Sequence, residues 1–274
     1  MHRFHLAPNE WSSAILAGSE AHHARNVLRL QPGDRVVLFD GCGREATAGI
    51  TAFDSATVQL RILHETLTPP LRARITLAQA IPKGKNMDLI VQKAVEIGAA
   101  EIFPLLSERT VVQLDSESTA QKQVKWQGVA LEAAKQCGQN WLPQVHRPRT
   151  PQDFFRDLES GVLSPAEQKE KIAPREEPVP LARAALHFDL RLIGSLQPGA
   201  QHLKKMLADY AQDHDGARPE RVLIMIGPEG DFTPAEIALA RSHGCAPLTL
   251  GPIILRVETA AVYCLSILSY ELLG

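Results

Sequence analysis

Two stretches of the chain hold side chains whose type and spacing could do chemistry. Residues 250–260, "LGPIILRVETA", place Arg256 and Glu258 just where a long apolar helix begins. A carboxylate in a first helical turn complements the helix dipole, which gives Glu258 an ordinary structural reason. Arg256 has no such reason, because a cation is unfavourable at that end. It calls for a carboxylate partner, either Glu229 or Glu258, or for a ligand on which negative charge develops.

Residues 224–237, "IMIGPEGDFTPAEI", share the layout of buried strand, glycine loop and helix start. Thr233 reads as an N-cap, Pro234 as the first helical residue and Glu236 as the far member of a capping box. Capping does not require Gly227, Pro228, Glu229 and Gly230 directly after an apolar strand. Glycines there let backbone N–H groups approach a ligand at the carboxyl edge of a sheet, where open α/β folds bind. No Gly-Lys-Ser/Thr follows, and Glu229 with Asp231 would repel phosphate. The pattern therefore predicts a neutral or cationic ligand.

These loops need a sheet to hold them. From Arg74 onward apolar strands alternate with amphipathic helices, the pattern of an α/β unit with a largely parallel sheet. The predicted strands are "ITLAQAI", "AEIFPLL", "AALHFDL", "RVLIMIG" and "PLTL". Between the first two, Met87, Ile90, Val91, Ala94 and Ile97 follow helical spacing and Gly98 supplies the stop. A second helix is read in "AQKQVKWQGVALEAAKQCG". The last, "ETAAVYCLSILSYELL", is apolar nearly all round and is expected to be buried. Residues 161–180, charged and proline-rich without periodicity, read as a mobile surface insertion.

Ahead of this unit, "DRVVLFDG", "CGREATAGI" and "ATVQLRIL" read as short strands of a barrel-like β-rich unit that ends at the "TPP" of 68–70. One helix interrupts it, "SEAHHARNVLRL", with Ser19 as N-cap and Ala21, Ala24, Val27 and Leu28 on the inward face. The division falls between 1–72 and 73–274.

With 274 residues and 45% hydrophobic composition the chain can bury a sizeable core. A formal net charge of −2 gives no overall basic field, so any nucleic-acid contact must come from a local patch. Cys42, Cys137, Cys245 and Cys264 show neither C-x-x-C nor zinc-site spacing, so reduced thiols and no metal are expected. The start "MHRFHLAPNE" lacks an apolar signal region and no run reaches membrane-spanning length. A soluble, cytoplasmic protein is expected.

Taken together, "KGKNMDLIVQKAVEIG", "SERTVV", "KWQGVALEAAKQCG", "GPEGDFTPAEI" and "LGPIILRVETA" closely resemble, in that order, the ribosomal RNA small subunit methyltransferase E family. That family belongs to the knotted SPOUT class of S-adenosylmethionine-dependent methyltransferases. "HHARNVLRLQPGDRVVLFDG" is similar to its N-terminal PUA-like barrel, so the resemblance spans nearly the whole chain. It implies an α/β fold, a trefoil-knotted parallel sheet flanked by helices and preceded by a small PUA-like β-barrel. It also implies RNA binding by residues 1–72, and cofactor binding and homodimerisation by residues 73–274.

The S-adenosylmethionine site so implied uses groups at Ile226, Gly227, Gly230, Leu250, Gly251, Ile254, Leu255 and Thr259. The implied reaction is methylation at N3 of one uridine of small-subunit ribosomal RNA, free or in the assembled subunit, without a metal. Arg256 would stabilise charge spreading onto the uracil carbonyl oxygens. Glu258 or Glu229 would orient Arg256 or take the proton. Arg25, Arg29, Lys83, Lys85 and Arg109 would contact RNA, although each alone reads as an ordinary surface charge. Two positions where the family often carries arginine are here Gln139 and either Pro252 or Ile253. Those departures keep open a second reading, a catalytically inactive RNA-binding or ribosome-assembly protein of the same fold. The intact "GPEG" and "LRVET" favour the enzyme.

Overall fold

The computed structural model describes residues 1–110, 115–160, 187–197 and 199–274; the charged stretch 161–180 lies outside the described residues. The N-terminal unit contains β1 (Arg3–His5), β2 (Ile15–Leu16), β3 (Arg35–Phe39), β4 (Arg44–Phe53) and β5 (Val58–Leu67). They form a five-stranded sheet in the order β1-β3-β4-β5-β2. Side chains alternate across a strand, so Val36 and Leu38 of β3, Ala46, Ala48 and Ile50 of β4, and Val58 and Leu60 of β5 all reach one core with Phe4 and Trp11. Register shifts at Thr47/Ala48 and Ile50/Ala52 bend the β4–β5 ribbon.

The interrupting helix differs from its sequence expectation. α1 (Gly18–His22) has Ala17, not Ser19, at its N-cap, and it runs into a π-helical turn at His23–Val27. The wider turn rotates the following residues, which leaves Val27 59% exposed while Ala21 and Ala24 stay buried.

The second unit is built from β6 (Arg74–Ala80), α2 (Asn86–Ile97), β7 (Ala99–Leu105), α3 (Ser116–Cys137), β8 (Gln144–Val145), α4 (Pro151–Glu159), β9 (Leu190–Gly194), β10 (Gln201–His202), α5 (Leu203–Asp213), β11 (Arg221–Ile226), α6 (Pro234–Ser242), β12 (Ala246–Thr249) and α7 (Val257–Leu273). Its seven strands are parallel, in the order β10-β12-β9-β11-β6-β7-β8. Alternation along β11 sends Val222, Ile224 and Ile226 to the core beneath α2, α3 and α7. Leu223 and Met225 go to the opposite core with α4 and α6. The chain leaves β12, beyond β9, and returns across the strand ends to enter α7, which packs on β6, β11 and α2. This return is the crossing on which the expected knot rests.

The strand expected at "AALHFDL" is instead β9, "LRLIG". Residues 184–186 lie outside the described residues, and Asp189 lies in a bend just before the strand, its Oδ2 accepting the backbone N–H groups of Glu220 and Arg221, each at 2.8 Å. Arg191 hides the strand by breaking its apolar run, and its guanidinium reaches the His243 carbonyl at 2.7 Å. α3 begins before the expected start because Asp115 caps it, accepting the Ser118 N–H at 2.8 Å. α7 starts where expected but is buried on one side only. Ala261, Cys264, Leu265, Leu268 and Leu272 face inward, whereas Thr259, Tyr263, Ser266 and Tyr270 form an outward stripe at helical spacing, Tyr270 being 81% exposed.

A dense junction joins the two units just after α3. Asn140 Nδ2 donates to Thr68 Oγ1 at 2.8 Å, Trp141 Nε1 to the Thr68 carbonyl at 3.0 Å, and Arg3 to Asn140 Oδ1 at 2.6 Å. Lys135 pairs with Glu20 across the same seam. Gly43 sits there with φ +96°, and a Cβ would come within 2.6 Å of the Trp141 ring, so only glycine fits.

Candidate cofactor and catalytic site

At the carboxyl ends of β9, β11 and β12 three loops meet around a cavity of about 430 Å³, inside the ordinary range for ligand pockets. Ile226, Gly227, Glu229, Leu250, Gly251, Ile254, Leu255, Arg256 and Glu258 line it. Gly230 and Thr259 stand outside the lining: Gly230 packs against Arg109, and Thr259 lies on the outer stripe of α7.

Two glycines shape the walls for different reasons. A Cβ at Gly227 would sit 3.1 Å from the Phe232 nitrogen and 3.2 Å from Asp231 Oδ1, so a side chain there would have to push the turn outward by a few tenths of an ångström. Gly251 has φ +117° with nothing within 4 Å of its Cβ position, so there the backbone conformation, not crowding, favours glycine.

Asp231, Ser195, Leu196 and Asn86 also line the cavity. Asp231 adopts φ +62°, a left-handed conformation that Asp tolerates. It accepts the Phe232 N–H through Oδ1 at 2.7 Å and the Leu196 N–H through Oδ2 at 3.2 Å. One carboxylate therefore ties the loop after β9 to the loop after β11. Placing β9 a few residues early hides this, because the 194–196 loop then has no place at the sheet edge.

Arg256 occupies the N-cap of α7 with extended backbone and an exposed side chain that makes no hydrogen bond or ion pair with a described residue. Of the two readings of Arg256, pairing with Glu229 or Glu258 is thus not formed; Glu229 is met by the loop after β6 and Glu258 by the first residue of α2. Glu229 Oε1 accepts the Lys83 backbone N–H at 2.9 Å, and Glu258 Oε2 accepts Asn86 Nδ2 at 3.3 Å. The capping box at Thr233 and Glu236 is formed.

The basic residues divide. Arg25 donates to the backbone carbonyls of Asp54, Ser55 and Thr57 and lies 5.5 Å over the Phe53 ring, holding the β4–β5 turn. Arg109 donates to the Gly230 carbonyl, bracing the cavity loop. Arg29, Lys83 and Lys85 are exposed; Lys83 gives its backbone N–H to Glu229 and Lys85 precedes Asn86, both of which line the cavity. Among the described residues no cluster of three or more His, Cys, Asp or Glu could hold a metal, and no helix is long and apolar enough to cross a membrane.

The fold and this site define a class. Residues 69–269 match a family described as "RNA methyltransferase domain", and residues 16–63 match an "RNA methyltransferase PUA domain". The ribosomal RNA small subunit methyltransferase E of Synechocystis is 31% identical over 97% of this chain and 76% of its own length. That of Bacillus subtilis is 27% identical over 93% and 89%. The crystal structure of the Neisseria gonorrhoeae protein of that name, bound to S-adenosyl methionine, superposes with a TM-score of 0.74 at 29% identity, covering 99% of this chain and 98% of the other. The chain belongs to the ribosomal RNA small subunit methyltransferase E family.

Proposed function

We propose that the protein is an enzyme that transfers the methyl group of S-adenosylmethionine to N3 of one uridine in small-subunit ribosomal RNA. Family membership and the structural relative solved with S-adenosyl methionine support the reaction class and the cofactor. The observation that carries the cofactor reading is the cavity itself. Its apolar wall at Leu250, Ile254 and Leu255 suits a purine, and Glu229 and Asp231 on the opposite loop suit a cation. When bound, the cofactor supplies an electrophilic methyl group on a positively charged sulfur.

Uridine N3 carries a proton at neutral pH and attacks well only as the anion. Arg256, which has no partner among the described residues, stabilises charge spreading onto the uracil oxygens. Glu258 or Glu229 takes the proton. Residues 1–72, Arg29 among them, hold the RNA together with Lys83 and Lys85, and residues 73–274 hold the cofactor. The outward stripe of α7 packs against a second copy, making a homodimer that works in the cytoplasm.

Mass-spectrometric mapping of ribosomal RNA from cells with and without the protein, followed by transfer assays on free RNA and assembled subunits, tests this reading. One N3-methyluridine should vanish with the gene and return with the protein. Binding of RNA and cofactor without transfer would instead identify a non-catalytic assembly protein.

A further inference from the structure

We infer that Glu258 is the carboxylate that takes the uridine N3 proton and that Asn86 is the residue that positions it; this rests on the uridine-N3 reading above. Glu229 and Glu258 are fastened on the stretch that leads from β6 into α2, Glu229 by the loop and Glu258 by the first residue of the helix. Glu229 is bound by a backbone N–H, that of Lys83, and its side chain is otherwise exposed at the rim. This bond stitches two loops together. Glu258 is half-buried on the first turn of α7, an element anchored by Val257 and Ala261 in the core, and so is held more rigidly.

The group that orients Glu258 is a side-chain amide. Asn86 is the first residue of α2 and lines the same cavity, and its Nδ2 donates to Oε2 at 3.3 Å. Oε1 is left without a partner among the described residues. A neutral donor fixes the direction of the carboxylate without forming an ion pair with it. A lysine or arginine at 86 would instead compete with Arg256 for the same charge. The other charged side chains lining this cavity are Glu229, Asp231 and Arg256.

The step balances. The N3–H bond breaks and its proton passes to Glu258 Oε1, while the electron pair left on N3 forms the bond to the methyl carbon. The carbon–sulfur bond breaks with its pair on sulfur, so a carboxylate and a sulfonium become a carboxylic acid and a neutral thioether. The acid then returns its proton to water.

The test uses the full chain, S-adenosylmethionine and small-subunit RNA, with nucleoside analysis of the product and rates at saturating cofactor across pH. Glu258→Gln should slow transfer on the order of a hundredfold while cofactor affinity stays near that of the parent. Asn86→Ala should lower kcat by about tenfold without raising KM for the cofactor. Asn86→Asp sets a second carboxylate against Glu258, so the pair retains a proton and the acid limb of the kcat profile moves to higher pH. Asn86→Gln, which keeps the amide, should restore part of the rate lost in Asn86→Ala. Glu229→Gln should act mainly on KM for the cofactor.

An unslowed Glu258→Gln, an unmoved acid limb in Asn86→Asp, or a Glu229→Gln defect equal to that of Glu258→Gln would overturn the inference. If Glu258→Gln does not fold, the Asn86→Asp profile decides. A parent protein whose product is not N3-methyluridine overturns the underlying reading. A parent that makes it while the variants behave otherwise overturns this inference alone.

Discussion

Ser107 Oγ donates to Glu236 Oε2 at 3.0 Å, and the Glu108 backbone N–H donates to Oε1 of the same carboxylate at 2.9 Å. Glu236 also accepts the Thr233 N–H at 2.9 Å, so one buried side chain caps α6 and anchors the loop that follows β7. Glu236→Ala removes all of these bonds at once and strands the Ser107 hydroxyl. The expected loss of stability is about 2–4 kcal/mol from lost capping and an unsatisfied buried donor. Because that loop carries Arg109, which braces Gly230, cofactor affinity should fall as well. Denaturant unfolding and calorimetric titration read the two effects, and a variant unchanged in both would remove Glu236 from the site's support.

Arg256→Lys should keep the fold and much of the cofactor affinity, since the side chain has no partner to lose among the described residues. Transfer should slow by on the order of a hundredfold if the loss resembles that of one preorganised oxyanion donor. Lysine keeps the charge but not the planar fork that can reach a carbonyl and a carboxylate together. Raising the pH should rescue the variant in part, because more uridine is then already ionised. A defect constant across pH, or one lying wholly in cofactor binding, would make Arg256 a structural cap or a cofactor ligand instead.

Much of this site is legible in the sequence because its parts are local. The capping box at Thr233, the glycines of "GPEG" and the start of α7 each follow from residues a few positions apart. What is not legible depends on distant partners. β9 is hidden because Arg191 interrupts its apolar run, and only the His243 carbonyl, far along the chain, explains that arginine. Asn86 reads only as the start of a helix until α7 brings Glu258 beside it. The helical period alone could not say which side of α7 stays uncovered. Val27 is misread for another reason, since a π-helical turn carries no periodic signature.

Acid should destabilise the protein through a buried pair between β7 and the residue that follows β8. His146 Nε2 meets Glu101 Oε2 at 3.1 Å, stacked on Phe103, while Arg74 donates to Glu101 Oε1 at 2.9 Å. Burial lowers the His146 pKa from its ordinary 6.5 against the opposing pull of Glu101. Burial alone would raise Glu101 from its ordinary 4.5, but the bonds and charges of His146 and Arg74 outweigh it and hold the carboxyl below that value. Both groups bind fewer protons folded than unfolded. The contribution of His146 is whole above 6.5 and is lost as pH falls toward its lowered folded value. Glu101 adds a second loss below 4.5. In His146→Gln the first part of the fall in melting temperature should disappear; an unaltered curve would assign acid sensitivity elsewhere.

The outward stripe of α7 predicts assembly. Sedimentation at micromolar concentration should report about twice the 30.0 kDa chain mass. Tyr263→Glu with Tyr270→Glu should shift the protein to the chain mass, since neither tyrosine is needed by the core. A parent protein that sediments as a clean monomer would rule the homodimer out.

The seam formed by Thr68, Asn140, Trp141 and the Lys135–Glu20 pair has a consequence for whatever lies across both units. Several polar bonds and a glycine pressed against an indole leave little slack for one unit to swing on the other. The interval between the N-terminal sheet and the cavity therefore behaves like a fixed gauge. A strand of nucleic acid that touches both ends must supply the bending itself, so floppy and stiff substrates that share a sequence should be told apart by shape.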